Sequence, residues 1–541
     1  MGLYRDIIMP AGTVLFRMQR RGIPLDVTER DRLRSEAQAA LRKSDLELGT
    51  ATAEFHAQRC ARIAHAIEML KTEKDIMVSD APAGCEKHPG YKGVTKRKKC
   101  EDCKYVYGLA APLRIKLKEV QERIAAGRTK LRGLGETFQS GSDDHWRVLL
   151  FNKEVGCGLK PVSRTNKRRD PKVDDDAIEK LLRRHPENRF LQLRGTVQAA
   201  RSRLSTRLAV EPESDGRVHF AYSMHRSGPG RIASGADDTD SDKLRTSPGN
   251  AQNLAPKDRR IYRAESGYVF VECDWSQIEA RVMATLAGED RMLAAWEKGQ
   301  DIHAINGAAL AGALGVKCTP EESKVKTFRF SGETRTYRYA AKRMTHGWNY
   351  GMQAKHTAEL FGLTERVAQT LITAYFEQWP KLRRFQTYLV TLANSERYLV
   401  NSFGRKYPFF HVKKDVFGSW VISDPNEAIS FPAQADVSDM CKKVLPELDY
   451  CADRHHGELL NTKHDSFLAM IPIPQLRDYV FCALAVMQQP WPQVRGPLGG
   501  EDFWCPAEFE VGLNWGPKNG DNPDGMEEYD AKNRPAFRAV A

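Results

Sequence analysis

Two apolar, strand-like runs in this chain end on an aspartate: GYVFVECDWSQIEARV at Asp274 and LLNTKHDSFLAMIP at Asp465. The first run, VFVECD, feeds directly into the helical pattern SQIEARVMATLAG, and the second reads as a hairpin. An interrupted α+β domain with a helical insertion fits this order. If folding brings the two carboxylates together, they form a hard-oxygen site suited to Mg²⁺, which binds through one or two carboxylates plus substrate phosphates. That is the setting of phosphoryl transfer, although each Asp taken singly is equally at home at a strand end or turn.

With 541 residues, 41% of them hydrophobic, the chain can bury several cores, and its length suggests roughly three or four structural units. The formal charge of +13 and pI near 9.1 favour polyanionic partners and steer them by long-range attraction. Charge alone does not single out nucleic acid. No apolar run approaches the roughly eighteen residues of a membrane span, and the N-terminus lacks the order of a signal peptide. The expectation is a soluble, intracellular protein without membrane contact. Eleven cysteines, odd in number and mostly isolated, suit reduced cytosolic thiols.

Charged and apolar residues alternate at helical spacing from Thr28 to about Leu48, and a second helical stretch runs from about Ala110 to Leu134. Between them lies APAGCEKHPGYKGVTKRKKCEDC, and after them the basic, breaker-rich SRTNKRRDPKVDDD. The first 200 residues therefore read as an extended helical region with a small insertion. Strand-like GRVHFAY, a polar loop from Ser227 to Asn250, and VFVECD follow. Residues 291–400 look mainly helical, and strands return in SERYLVNSFGRKYPFF and around Asp465.

Within YRYAAKRMTHGWNYGM, Arg338, Lys342, His346 and Tyr350 recur every fourth residue. Such a series drifts by about 40° per step and makes one slowly winding stripe on a helix. Two cations at one end suit a triphosphate, and a ring-bearing pair at the other suits a base and sugar. A solvated basic face with a buried Tyr is the plainer reading of this segment alone.

Taken together, the segments resemble the family A DNA polymerases, the class of bacterial DNA polymerase I. DWSQIEARV resembles the first palm motif, RYAAKRMTHGWNYG the fingers helix, and KHDSF the second carboxylate motif. DIHA at Asp301, GPGRIAS at Gly228, NAQNLAP at Asn250, FPAQADVSD at Phe431 and the closing EVGLNWG stand around them in one consistent order. The resemblance covers residues 225–516, and the N-terminal helices resemble the thumb more weakly.

The resemblance implies an α+β right-hand fold: an antiparallel-sheet palm, helical fingers, and a helical thumb carrying the small insertion. The expected divisions are a thumb at 1–205 with its insertion at 81–108, palm at 206–290, fingers at 291–400, and the second part of the palm at 401–541. Asp274 and Asp465 would hold two Mg²⁺ ions about 3.5 to 4 Å apart for in-line displacement of pyrophosphate by a primer 3′-hydroxyl. Arg338, Lys342 and His303 would contact the nucleotide phosphates. Glu279 falls at the sugar-discriminating position and favours deoxynucleotides. Tyr350, His346 and Gln277 would lie at the incoming nucleotide and nascent pair. Arg231, Asn253, Gln434 and His464 would grip the primer end and minor groove, whose acceptors occur in every Watson–Crick pair.

Three departures stand out. His346 occupies a usually aromatic place, Ser466 replaces the acidic residue that commonly follows the catalytic Asp, and Asn426 and Ser430 stand where Arg and Asn are typical. Thumb-like helices begin almost at residue 1, so the expectation is a polymerase without proofreading in the same chain.

In the insertion, Cys85-x2-His88 and Cys100-x2-Cys103 supply a Cys3His set suited to tetrahedral, structural Zn²⁺, with a reduced-thiol surface loop as the alternative. Lys96, Arg97, Lys98 and Lys99 lie inside it, and Lys167, Arg168 and Arg169 form a second basic run. Since a thumb straddles duplex DNA, the insertion reads as a phosphate-contacting module or a docking site for a processivity factor.

The expected activity is template-directed extension of a DNA primer with deoxynucleotides by a monomer. Its setting would be the cytoplasm of a bacterium or phage-infected cell, in phage or mobile-element replication or in repair, beside a separate exonuclease. A single-subunit RNA polymerase on a related palm is the nearest rival, and an inactive nucleic-acid scaffold is the rival from another class.

Overall fold

The computed structural model describes residues 2–79, 98–99, 106–107, 111–133, 142–153, 156–165, 169–235, 250–330, 333–496 and 502–531. They form two compact units, one of residues 1–38 and 200–541, the other of residues 39–199. Compactness thus assigns the first 38 residues to the larger unit and leaves the rest of the N-terminal helices to the smaller one.

A five-stranded antiparallel sheet centres the larger unit. We label its strands β1 (Tyr268–Trp275), β2 (Glu458–Lys463), β3 (Ser466–Pro472), β4 (Ala507–Gly512) and β5 (Glu527–Glu528), which lie in the order β2-β3-β1-β4-β5. Alternation along β1 explains its central place. Val269, Val271, Cys273 and Trp275 enter one apolar core and Phe270 enters another on the opposite face. Glu272 and Asp274 share the Phe270 face, where the second core gives way to polar residues. Trp275 is fixed from two sides: its indole N–H donates to the Met487 carbonyl at 2.7 Å, and its ring meets Phe467 and Trp491 edge-on. Burying such a side chain contributes roughly 1.5–3 kcal/mol.

Six helices matter for the site: α1 (Met9–Arg21), α2 (Ile278–Ala287), α3 (Ile302–Ala313), α4 (Tyr337–Asn349), α5 (Pro425–Arg454) and α6 (Leu476–Met487). In α4, Tyr337, Ala340, Ala341, Met344, Thr345 and Trp348 are buried, a spacing of three and four that turns Arg338, Lys342 and His346 to the opposite face. Thr336 caps its first turn by accepting from the Tyr339 N–H at 3.2 Å. A short hairpin, Thr327–Phe330 with Glu333–Thr336, leads into α4 within the stretch that the sequence pattern reads as mainly helical.

The helix Val27–Ser79 begins in the larger unit, continues into the smaller one from residue 39, and extends well past the predicted end near Leu48. The helix Ala111–Gly133 lies within a residue of its expected bounds at either end. Leu48, Trp146, Leu150, Leu181 and Leu191 form the smaller unit's main apolar cluster, with the Arg194 guanidinium over the Trp146 ring at 4.5 Å.

One expectation on thiols is corrected. Cys451 near the end of α5 and Cys482 in α6 form a disulfide, because packing of the two helices brings their Cα atoms to 6.0 Å. Cys85, His88, Cys100 and Cys103 lie outside the described residues, as do Lys96 and Arg97. Lys98 and Lys99 form a two-residue strand against Val106–Tyr107.

Candidate active site

The sheet brings the two aspartates to one edge. Chain reversal between β2 and β3 uses only His464 and Asp465, and His464 adopts a left-handed φ of 56° to make that tight turn. In register, Ser466 lies opposite Asp274, which places Asp465 one residue beyond the end of β1's pairing. Burial and the nearby Asp465 charge hold the Asp274 carboxyl above the usual carboxylate range. Burial and the Glu279 carboxylate do the same to Asp465. Two neighbouring carboxylates that both resist ionisation, Asp274 partly through the Asp465 charge and Asp465 partly through that of Glu279, favour a divalent cation.

An open cleft of about 400 Å³ adjoins this edge, lined on one side by Arg231, Gln277, Glu279, His464 and Asp465. Across it stand His303 of α3 and Lys342, His346 and Asn349 of α4, with Tyr350 at the helix end. The strand-to-helix handover sets the near wall. Gln277 takes a left-handed φ of 57° as the cap of α2, so Glu279 enters the first helical turn facing the cleft.

Glu279 is already engaged. Its carboxylate accepts from the Arg231 guanidinium and from the Tyr350 hydroxyl, joining three residues that the sequence assigned separate tasks. Burial and the Glu279 charge push the Tyr350 hydroxyl far from ionisation. The His346 ring meets Tyr350 edge-on at 5.1 Å, so the replacement of the usual aromatic keeps a ring contact.

His303 is the best-prepared ligand group on the far wall. Burial, reinforced by the Lys342 charge, lowers its pKa to about 4, so the ring is neutral near pH 7. Its Nδ1 is buried without a hydrogen-bond partner. Arg338 stands one turn before Lys342 and forms an ion pair with Asp301 at 2.6 Å, outside the cleft lining.

Not all expected residues converge. Asn253 is exposed on the short helix Ala251–Asn253, and Gln434 is half-buried on α5; neither lines the cleft. The amide beside Asn253 is structural: Gln252 donates to the Ile232 carbonyl at 3.0 Å and the Thr462 carbonyl at 3.1 Å, tying the Arg231 loop to β2.

Sequence reasoning also missed two groups. Glu508 on β4 lies opposite Asp274 on the side away from Ser466, so a third carboxylate flanks the edge. The alternation in AEFEVG, with Phe509 and Val511 inward, is the signal that points Glu508 outward. The other is Lys442, fully buried on α5, whose ammonium donates to the Gly230 carbonyl and to Ser438 Oγ at 2.7 Å. It also lies 3.3 Å from Asp439, which Arg405 grips through two nitrogens at 2.6 and 3.0 Å. This buried network fixes Gly230, the residue before Arg231. Burial lowers the Lys442 pKa to about 8.

Among the described residues, no three or more His, Cys, Asp or Glu side chains are arranged to hold a metal by themselves. The fit for Mg²⁺ therefore rests on the two repelling aspartates plus ligand oxygens, the usual habit of this ion.

Residues 110–516 match the family model described as DNA polymerase family A. The chain is similar to a thermostable DNA polymerase I of Thermus thermophilus, 24% identical over 76% of this chain and 45% of that protein. It is also similar to a DNA polymerase I of Chloroflexus aurantiacus, 28% identical over 57% of this chain and 29% of that protein. The chain thus spans less than half the length of these relatives. Its fold resembles the POL domain of Pol1 from M. smegmatis, solved with DNA primer-template and dNTP, at a TM-score of 0.64 and 17% identity over 94% of this chain and 70% of that one. With most of its length matched in one continuous span and the fold shared, the chain belongs to DNA polymerase family A.

Proposed function

We propose that this chain extends a DNA primer on a template, adding deoxynucleotides by nucleotidyl transfer. One observation carries the reading: Asp274 and Asp465 meet at one sheet edge, while Lys342 and His303 face that edge across the cleft. Mg²⁺, as two ions held by the aspartates, would supply charge neutralisation at the reacting phosphate and favour ionisation of the primer hydroxyl.

The protein groups divide the remaining work. Lys342 places positive charge where the triphosphate must lie, and neutral His303 lines the same cleft as a phosphate contact. Arg338 joins them if the nucleotide draws it from Asp301. Glu279, held by Arg231 and Tyr350, presents a carboxylate beneath the sugar position that disfavours a 2′-hydroxyl. His464 and Arg231 face the primer end; Asn253 and Gln434 would serve along the duplex. Gln277, His346 and Tyr350 border the nascent pair.

In this reading, 1–205 acts as thumb, 206–290 and 401–541 as palm and 291–400 as fingers, with Lys98 and Lys99 on the DNA backbone. No helix among the described residues is long and apolar enough to cross a membrane, and we place the protein in the cytoplasm of a bacterium or phage-infected cell. Replication of a phage or mobile element, or repair, and extension without removal of a mismatched end complete the proposal. The test is extension of a labelled primer with each nucleotide set. Deoxynucleotide extension that stops at a retained mismatch is expected; ribonucleotide preference would shift the reading to an RNA polymerase, and no extension would leave a binding scaffold.

A further inference from the structure

A hairpin that none of the site residues uses stands out on the larger unit. Strands Val412–Lys414 and Trp420–Ile422 pair antiparallel, closed by a turn in which the Asp415 carboxylate accepts from the Phe417 N–H at 2.9 Å and the Ser419 N–H at 2.8 Å. Its turn is therefore built, and it displays apolar groups outward. Val416 is 92% exposed, Phe417 90%, Phe410 81% and Trp420 56%. Large apolar side chains gathered this way on an exposed surface mark a binding face.

The charge on the hairpin restricts the partner. Lys413 and Lys414 accompany the aromatics, with the Lys414 ammonium 5.4 Å from the Trp420 ring centre, while Asp415 is spent in the turn. Rings interleaved with lysines fit bases and phosphates of an unpaired strand better than an apolar protein surface.

The base of the hairpin places that face. Phe409 and Ile422 are buried with Phe431 of α5, anchoring its two ends. Just before it, the Tyr407 ring lies so close to Gly228 that a Cβ there would come within 2.6 Å of the ring. Just after it, Asn426 abuts Gly351 so tightly that a Cβ would meet its Oδ1 at 2.4 Å. One root thus touches the loop that carries Arg231, and the other touches the glycine after Tyr350.

We propose that residues 409–422 form an aromatic and basic platform for single-stranded template DNA ahead of the nascent pair. The exposed rings of Phe417 and Trp420 stack on unpaired bases, and Lys413 and Lys414 follow the phosphates. The placement rests on the polymerase reading; the stacking face does not.

The test uses the full chain and the double variant F417A/W420A, with K413A/K414A as a second variant. Both rings are largely exposed, so the core is untouched. Binding is measured to a primer-template with a 5′ template overhang of about 15 nucleotides, to the same duplex with blunt ends, and to one carrying a displaced 5′ flap opposite a fully paired template. Loss of two stacking contacts predicts at least about tenfold weaker binding to the overhang substrate and unchanged binding to the blunt one. K413A/K414A should flatten the salt dependence of overhang binding. Equal loss on overhang and blunt duplexes, or no loss on either, overturns the proposal. So does a loss confined to the flap, which would make the displaced strand the occupant, or unchanged DNA binding with loss of a co-purifying protein. If the wild type binds the overhang through these rings yet extends no primer, the polymerase reading fails and the platform stands.

Discussion

Replacing Asp274 with Asn should stabilise the metal-free protein at neutral pH while removing its activity. The wild-type carboxyl is pushed up by burial, by Asp465, and by Glu272 and Glu508, so the folded state holds its proton more tightly than the unfolded chain. Stability from this group is therefore fully present below its unfolded value near 3.8 and is lost as pH rises through the elevated folded range. One pKa unit corresponds to about 1.4 kcal/mol. Solvent reaches Asp274, so screening leaves only part of the full shift, about 1–2 kcal/mol near pH 8. In a chain of this size that raises the melting temperature by about 1–3 °C. Calorimetry in chelator at pH 4 and pH 8 checks it: D274N should gain at pH 8 and not at pH 4, and Mg²⁺ should stabilise the wild type more than the variant. A D274N protein that melts at or below the wild type at pH 8, or that gains equally from Mg²⁺, would refute the repulsion argument.

The other expectations concern single side chains. Glu279→Ala should raise ribonucleotide use relative to deoxynucleotide by about tenfold or more, read as the ratio of kcat/KM values; an unchanged ratio assigns sugar selection elsewhere. His303→Gln keeps a donor and should hold KM for nucleotide closer to wild type than His303→Ala. Its lowered pKa predicts that wild-type stability falls as pH drops below about 6.5, where only the unfolded chain protonates. H303Q should flatten that fall in an acid melting series. Lys442→Ala leaves Asp439 with Arg405 and Asn401 and the Gly230 carbonyl with Ser438 Oγ alone, costing about 1–3 kcal/mol in denaturant unfolding; a loss under about 0.5 kcal/mol would show that the network is not needed.

The parts of the site legible in the sequence were those written within one element. A strand carrying Asp274 near its end and passing into a helix, the hairpin around Asp465, and the stripe Arg338, Lys342 and His346 each follow from local periodicity. What joins elements was not legible. The carboxylate of Glu279 shared by Arg231 and Tyr350, and the pairing of Glu508 with Asp274, depend on sheet order and helix packing that no local pattern encodes. The Cys451–Cys482 bond is of the same kind, a product of how α5 meets α6. Lys442 carries no local signal of its burial, because its partners, Gly230 and Asp439, lie on a distant loop and on its own helix face.

Single-nucleotide incorporation on a primed template, followed in one turnover for the wild type, D274A and D465A, tests the central claim most directly. The account predicts that each substitution alone lowers the rate by at least about a thousandfold while primer-template binding stays intact. Near-normal incorporation by either variant would contradict it.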